Sequence, residues 1–155
     1  MSNPKFTDSR SIEEMVRFGL EEFIPFNKVL GLKLASAEPI KATFEMRPEL
    51  VGNPALAVLH GGVISAVIDA VGGIAIIQHL LLRDDGLSLD EKRKQFTRVG
   101  TIDLRIDYLK PGRGTQFYTT AKLLKAGRTI MVVRMDLYNQ DDLLIAAGTG
   151  SYIVR

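Results

Sequence analysis

The sequence predicts an α+β fold in which a predominantly antiparallel β-sheet wraps around one long central helix. Residues 63–82 are mostly apolar, and a helix that is apolar nearly all round needs to be covered on most sides. Residues 100–154 contain four extended segments separated by short turn sequences, which favours antiparallel hairpins. With 155 residues, the chain has the length of one domain and can bury a core without disulfides.

The N-terminal residues predict an amphipathic helix that precedes the main domain. Ser11 is a suitable N-cap, and Glu14 stands at the position that closes a capping box for a helix over residues 11–24. We therefore divide the chain into an N-terminal helical extension, residues 1–25, and a domain formed by residues 26–155.

The other elements follow from alternating polarity and from turn residues. In residues 100–109, apolar and charged positions alternate. One face of the sheet is therefore predicted to carry Ile102, Leu104, Ile106 and Tyr108. The predicted strands are residues 30–37, 40–47, 100–109, 117–124, 129–138 and 143–154. A loop is predicted at residues 48–55, and a short surface helix capped by Ser88 at residues 87–98.

Composition excludes several classes of function. The sequence has no cysteine and two histidines, so we expect no disulfide, no cysteine nucleophile and no metal site. Its net charge of +2 is too balanced for a nucleic-acid-binding protein that neutralises many phosphates. The N-terminus has no apolar signal segment, and Asp69 fits a membrane interior poorly. We therefore expect a cytoplasmic protein without a membrane span that acts on a small molecule.

The start of the long helix carries a candidate oxyanion site. Gly61 and Gly62 follow His60 there, where the first backbone N–H groups have no partner within the helix and no side chain covers them. The helix dipole adds to these donors, so such a terminus can bind an anion or an oxyanion. The same two glycines would also permit close packing without any role in binding.

Asp69 is a candidate catalytic carboxylate because it stands in the middle of the apolar helix. Its neighbours along the helix include no cation, and carboxylates are almost never fully buried unless they are paired. Desolvation makes a carboxylate a better base near neutral pH. The structural alternative is an ion pair in the core between Asp69 and a residue such as Arg105.

The spacing of these two candidates predicts a site shared by two chains. Gly61 and Asp69 are eight residues apart on one helix, which separates their backbones by about 12 Å. They cannot both contact one reacting carbonyl, because that needs distances of about 3 Å. If both groups act, the start of one helix must lie beside the Asp69 of a second, antiparallel helix across a two-fold axis. The protein must then be a dimer.

Three motifs, taken in order, identify a family. They are Val51-Gly52-Asn53, Leu59-His60-Gly61-Gly62 with Asp69 eight residues beyond Gly61, and residues 100–114. From about residue 26 to the C-terminus, the sequence resembles the hotdog-fold acyl-CoA thioesterases of the PaaI type, most closely the bacterial YigI-like branch. The resemblance implies a hotdog fold, an acyl-CoA substrate of which coenzyme A is a part, no separate cofactor, and a homodimer or homotetramer.

The resemblance also implies roles for individual residues. Asp69 resembles the general base or nucleophile, and Gly61 the amide donor that polarises the thioester carbonyl. Asn53 and His60 resemble residues that hold the thioester and the site geometry. Thr101 stands where related enzymes carry a hydroxyl that positions water. The segment from Asn53 to His60 is one residue longer than in some family members.

Basic residues in the second half of the chain are candidates for contact with the phosphates of coenzyme A. Residues 105–128 contain six basic residues and one acidic residue, and Arg or Lys at strand ends suits phosphate contact. Lys110, Arg113 and Arg128 are predicted to bind substrate, together with Gly62 at the helix start. Each basic residue could instead belong to a solvated surface.

Two other functions stay open at this point. A hotdog hydratase or dehydratase would need a histidine–acid pair over the acyl chain, and the strands of the second half supply no histidine. A non-catalytic acyl-CoA sensor would usually carry a DNA-binding segment, for which residues 1–25 are short and acidic. The presence of Asp69 favours catalysis. The length of the acyl chain depends on side chains that meet only in three dimensions.

Overall fold

The structure is a computed structural model that describes residues 12–83 and 85–154. Its helical elements are α1 (Ile12–Phe18), a π-helix (Gly19–Phe23), α2 (Pro25–Leu30), a 3-10 turn (Pro48–Leu50), α3 (Gly61–Leu82) and α4 (Leu89–Phe96). Its strands are β1 (Lys33–Ala37), β2 (Ile40–Glu45), β3 (Val51–Asn53), β4 (Val58–Leu59), β5 (Gly100–Tyr108), β6 (Gln116–Ala126), β7 (Ile130–Asn139) and β8 (Leu144–Ile153).

Six strands form one antiparallel sheet that packs on α3, which confirms the predicted fold. The strand order is β1-β2-β6-β7-β8-β5, and β3 pairs with β4 in a separate ribbon. Val67, Ile68 and Val71 of α3 are fully buried, and each such side chain contributes on the order of 1.5–3 kcal/mol to folding. By length and hydropathy α3 could cross a membrane, but here it is the core helix of the domain.

The N-terminal segment, residues 12–24, differs from the single helix that the sequence predicts. Pro25 does not end a helix but begins α2, where its missing N–H breaks no helical hydrogen bond. Between α1 and α2 the chain forms the five-residue π-helix. Met15 and Leu20 lie in the same hydrophobic core as α3. The predicted cap, Ser11, lies outside the described residues.

The segment predicted as a loop before α3 contains short regular structure. The 3-10 turn leads into β3, which pairs antiparallel with β4 and returns the chain to the start of α3. Pieces of two or three residues are too short to show a periodic pattern, so the sequence could not reveal them.

A β-bulge in β5 overturns one predicted side-chain direction. The pairing of β5 with β8 shifts between Thr101 and Asp103, so β5 carries an extra residue there. Leu104 and Ile106 pack against the core, but Ile102 is 53% exposed and does not share their face. Because a one-residue shift reverses the alternation, Thr101 points toward α3 rather than away from it.

The short helix α4 begins as predicted. The Ser88 side chain accepts a hydrogen bond from the N–H of Glu91, and the Glu91 carboxylate accepts one from the N–H of Ser88 at 2.8 Å. This capping box is the pairing that the Ser-x-x-Glu spacing indicates.

Candidate active site

The start of α3 presents one backbone donor that is free to bind a ligand. His60 is the N-cap, and its Nδ1 atom accepts a hydrogen bond from the N–H of Gly62 at 2.8 Å. The His60 carbonyl accepts from the N–H groups of Val63 and Ile64. Gly61 is exposed, and its N–H has no hydrogen-bond partner among the described residues. Gly61 is therefore the donor that this helix start offers to an oxyanion.

Packing around His60 and Gly61 holds the helix start in place. The His60 N–H donates to the Leu50 carbonyl at 2.8 Å. Gly52 approaches so closely that a Cβ atom there would lie 2.7 Å from the His60 Cα atom, a distance that no side chain tolerates. The Tyr108 hydroxyl donates to the Gly61 carbonyl at 3.3 Å. No sequence pattern indicated a role for Tyr108, and Gly52 stood out only as part of the Val51-Gly52-Asn53 motif.

The hydrogen bond of the Asn53 side chain is local. Its Oδ1 atom accepts from the N–H of Ala55 at 3.0 Å, which forms an Asx turn between β3 and β4. Asn53 is exposed. Its contact with a thioester stays a prediction.

The fold brings Asp69 and Thr101 together. The Thr101 hydroxyl donates to Asp69 Oδ1 at 2.8 Å, across 32 positions of sequence. Arg105 does not pair with Asp69; it pairs with Asp107 at 3.0 Å on the exposed face of β5. Within the part of the chain that the structure describes, Asp69 forms no salt bridge. Its negative charge is therefore held by a hydroxyl rather than by a cation, an arrangement suited to a general base.

Tyr152 supports the turn of α3 that carries Asp69. Its hydroxyl donates to the main-chain carbonyl of Asp69 at 3.3 Å, and its ring packs so tightly on Gly72 that a Cβ atom there would collide with it. Burial and the neighbouring Asp69 charge raise the pKa of Tyr152 above its ordinary value, so the hydroxyl stays a donor. Tyr152 was not among the predicted site residues. The available signal was a glycine inside a helix, which marks close approach of another group.

An apolar cavity opens beside Asp69 and Thr101, which both line it. The cavity has a volume of about 440 Å³, within the range of roughly 300–1,000 Å³ typical of ligand pockets. The N-terminal segment, α3, α4 and the first residues of β5 form its walls, with Ile74, Ile77 and Phe96 among its apolar lining. A larger and more open cavity of about 680 Å³ lies over β1, β2 and β6, away from every predicted site residue. Of these two cavities, the smaller one is therefore lined by the candidate catalytic residues.

The predicted phosphate-binding side chains lie at two ends of the sheet. Lys110 and Arg113 are exposed in the loop between β5 and β6, near the Gly61 end of α3. Arg128 is exposed in the hairpin between β6 and β7, at the Thr101 end. Because β6 has eleven residues, the two loops are separated by roughly 33 Å along the strand. One phosphate group cannot contact both loops of the same chain.

The structure thus assembles two separate groups. One is Asp69 with Thr101 beside the cavity, and the other is the Gly61 donor with its His60 cap. These groups are about 12 Å apart along α3, as the helix geometry predicts. In residues 12–83 and 85–154, no group of three or more His, Cys, Asp or Glu side chains could hold a metal ion.

Comparisons with known proteins identify similar sequences and folds. The family model of the Thioesterase superfamily matches residues 56–146. The medium/long-chain acyl-CoA thioesterase YigI of Salmonella typhimurium is 45% identical over 133 residues, which cover 84% of this chain and 86% of that protein. A crystal structure from Shewanella oneidensis, described as related to the thioesterase superfamily, has a TM-score of 0.86 at 37% identity and covers 92% of this chain and 94% of that one.

A third similar protein was solved with a ligand. The Bacillus halodurans protein, whose crystal structure is with CoA, has a TM-score of 0.68 at 25% identity, with coverage of 93% of this chain and 88% of that one. The resemblance inferred from the three sequence motifs is confirmed. The extent of the family match and the 45% identity to a curated relative together establish that this chain belongs to the thioesterase superfamily.

Proposed function

We propose that this protein is an acyl-CoA thioesterase, which hydrolyses an acyl-CoA thioester to the free acid and coenzyme A. The observation that carries the proposal is the pair of Asp69 and Thr101, 2.8 Å apart, in the wall of an apolar cavity. The relatives support it, because YigI of Salmonella typhimurium is a medium/long-chain acyl-CoA thioesterase and the Bacillus halodurans protein was solved with CoA. A cytoplasmic location fits a sequence without cysteine.

Asp69 supplies either the general base or the nucleophile. As a base, it takes a proton from water while the water oxygen attacks the thioester carbonyl carbon. As a nucleophile, its carboxylate attacks that carbon, and water then hydrolyses the resulting anhydride. In both routes the C–S bond breaks, the sulfur leaves as the thiolate of coenzyme A, and a proton then restores the thiol. The carbonyl oxygen becomes negative on the way, and the Gly61 N–H stabilises that charge.

Thr101 and Tyr152 keep Asp69 in position for this step. The Thr101 hydroxyl donates its proton to the carboxylate, so its lone pairs can accept a hydrogen bond from the attacking water. The Tyr152 hydroxyl holds the main-chain carbonyl of the same residue. The side chain and the backbone of the reacting residue are thus held from two different strands.

Each site combines the Gly61 of one chain with the Asp69 of another. The separation of about 12 Å within α3 requires this if both groups act on one carbonyl. Strand β5 is at the edge of the sheet, and Ile102 and Tyr108 on it are more than half exposed. A second copy that pairs with this edge would cover both side chains and give two equal sites. The proposed assembly is a homodimer, alone or as half of a tetramer.

The same assembly explains how separated basic residues bind one coenzyme A. Lys110 and Arg113 lie near the Gly61 end of the sheet and Arg128 near the Thr101 end. When the α3 helices of two chains lie antiparallel, the Arg113 loop of one chain approaches the Arg128 hairpin of the other. The phosphates of coenzyme A then contact basic side chains from both chains.

Replacement of the carboxylate tests the proposal. Asp69→Asn keeps the size of the side chain but removes the base, so the rate of acyl-CoA hydrolysis should fall by at least about a hundredfold. The matched control is Glu45→Gln, an exposed carboxylate on β2 that lies four strands away from β5 in the sheet, which should keep the wild-type rate. Circular dichroism and size-exclusion chromatography check that fold and assembly are unchanged. A wild-type rate in purified Asp69→Asn would refute the assignment.

A further inference from the structure

Two adjacent glycines in the middle of α3 have opposite surroundings. A Cβ atom at Gly72 would collide with Tyr152, so that glycine serves close packing. A Cβ atom at Gly73 would meet no atom within 4 Å. Glycine inside a helix lowers stability by roughly 0.5–1 kcal/mol relative to alanine. At Gly73, no close contact within the chain requires a residue without a side chain. The packing of the chain on itself therefore gives no reason for this glycine.

The space at Gly73 belongs to the apolar cavity beside Asp69. Gly73 lines the cavity together with Asp69, Ala70 and Ile77. It stands four residues after Asp69, so the two residues share one face of α3 one turn apart. A side chain at Gly73 would project into the cavity directly beyond the reacting group. The missing side chain thus leaves this part of the cavity, one helical turn from the carboxylate, unfilled.

The wall contributed by the N-terminal segment is firmly anchored. Met15, Gly19 and Phe23 line this wall, and the π-helix that contains the last two is a type of turn frequent at functional sites. The Glu21 carboxylate of the same π-helix accepts a hydrogen bond from the N–H of Leu34 at 2.8 Å, which ties the wall to β1. A wall held in this way gives the cavity a definite end.

Electrostatics keeps that anchor charged. Burial by itself would raise the pKa of the Glu21 carboxyl, but hydrogen bonds from Leu34 and Lys33 and the charges of Lys33 and Arg17 lower it below its ordinary value. Lys33 pairs with Glu21 at 3.1 Å, and Arg17 donates to the Leu34 carbonyl at 2.7 Å. The anchor is therefore ionised at neutral pH, and the cavity wall is present under assay conditions.

We propose that Gly73 determines the longest acyl chain that the enzyme accepts, because its missing side chain leaves room for the hydrocarbon beyond Asp69. The occupant of the cavity is the alkyl chain of the acyl group, since the reacting carboxylate lines the same apolar space. This inference rests on the proposed thioesterase function. Gly73 would set the specificity for chain length, and the N-terminal segment would form the wall that limits the length of the acyl chain.

The test compares chain-length profiles of Gly73 variants. Apart from the adjacent helix backbone, no atom lies within 4 Å of a Cβ added at Gly73, and a longer side chain would extend into the cavity that Gly73 lines, so Gly73→Leu should fold. We expect its ratio of kcat/KM for palmitoyl-CoA to kcat/KM for butyryl-CoA to fall at least about tenfold relative to wild type. Gly73→Ala should shift the ratio less. The matched control is Leu82→Phe, which adds apolar bulk at the exposed end of the same helix, outside the cavity, and should keep the wild-type ratio.

A binding measurement separates this inference from the proposed function. Calorimetry with non-hydrolysable thioether analogues of palmitoyl-CoA and butyryl-CoA needs no turnover. Gly73→Leu should weaken binding of the long analogue at least about tenfold relative to the short one. If wild type hydrolyses no acyl-CoA, the proposed function fails, and this binding ratio still decides the role of Gly73. Unchanged ratios in both assays overturn the inference. If melting shows that Gly73→Leu is unfolded, Gly73→Val decides the question by the same two ratios.

Discussion

Gly61 and Asp69, the two proposed functional positions of α3, obtain their surroundings in different ways. At the helix start, the groups that shape the Gly61 donor are mostly neighbours in sequence, such as the His60 cap and the close approach of Gly52. At Asp69, the contacts come from Thr101 and Tyr152, which are 32 and 83 positions away. The proposed donor is set mainly by local backbone geometry, whereas the surroundings of the proposed base are set by sheet register. Substitutions near Gly61 and substitutions near Asp69 should therefore change the hydrolysis rate by different amounts and for different reasons.

The largest change in hydrolysis rate is expected when Gly61 is replaced on one chain of a dimer and Asp69 is replaced on the other. Gly61→Pro removes the donor N–H at a position where proline suits a helix, and Asp69→Asn removes the base, so each variant alone should be inactive. A mixed dimer should regain one of its two sites and about half of the wild-type activity. Co-expression with two different tags isolates the mixed dimer for an acyl-CoA hydrolysis assay.

The matched control for this experiment is Gly61→Ala. It keeps the N–H, and its Cβ atom would lie 3.7 Å from Tyr108, an ordinary contact. This variant should lose far less activity than Gly61→Pro. A folded mixed dimer that is no more active than either parent variant would rule out a site shared between chains.

A smaller change in kcat is expected when the hydrogen bond from Thr101 to Asp69 is removed. Thr101→Val removes the donor to Asp69 and keeps the shape of the side chain, so kcat should fall about tenfold, in line with the loss of a hydrogen bond to a charged group. Thr101→Ser restores the hydroxyl and should recover most of the rate. Thr43→Val on the distant strand β2 is the control. Equal rates for Thr101→Val and Thr101→Ser would show that the hydroxyl has no role.

The smallest effect is expected at the basic loop near the helix start. Arg113→Ala should raise KM several-fold with little change in kcat, because contacts with the phosphates are shared by ground and transition states. Lys28→Ala, which removes an exposed lysine on α2, is the control and should leave KM unchanged. Acyl-pantetheine, which lacks the nucleotide phosphates, should show no difference between wild type and Arg113→Ala. A KM increase for both substrates would mean that Arg113 acts on the structure of the site.

Sequence patterns predicted the helices and strands that are long enough to show a regular repeat of polarity. They failed for elements that are short or irregular. The apolar run predicted α3, and alternation predicted β5 to β8 within a few residues of their bounds. The bulge at Ile102 is a single extra residue and leaves no mark in the pattern of polarity. The π-helix and the start of α2 at Pro25 also differ from the single predicted helix, because a proline fits the first turn of a helix as well as its end.

The amino-acid chain alone shows which groups this protein offers for chemistry: an aspartate in an apolar helix, and two glycines after a histidine at the start of that helix. These properties depend on residue type and on spacing along one helix, which the chain carries before it folds. Folding is needed to place Thr101 against Asp69, to set Tyr152 on the Asp69 carbonyl, and to leave Gly73 facing a cavity that the N-terminal segment lines. Contacts between residues far apart in sequence depend on strand register and helix packing, and a shift of one residue in a strand moves its side chains to the opposite face of the sheet.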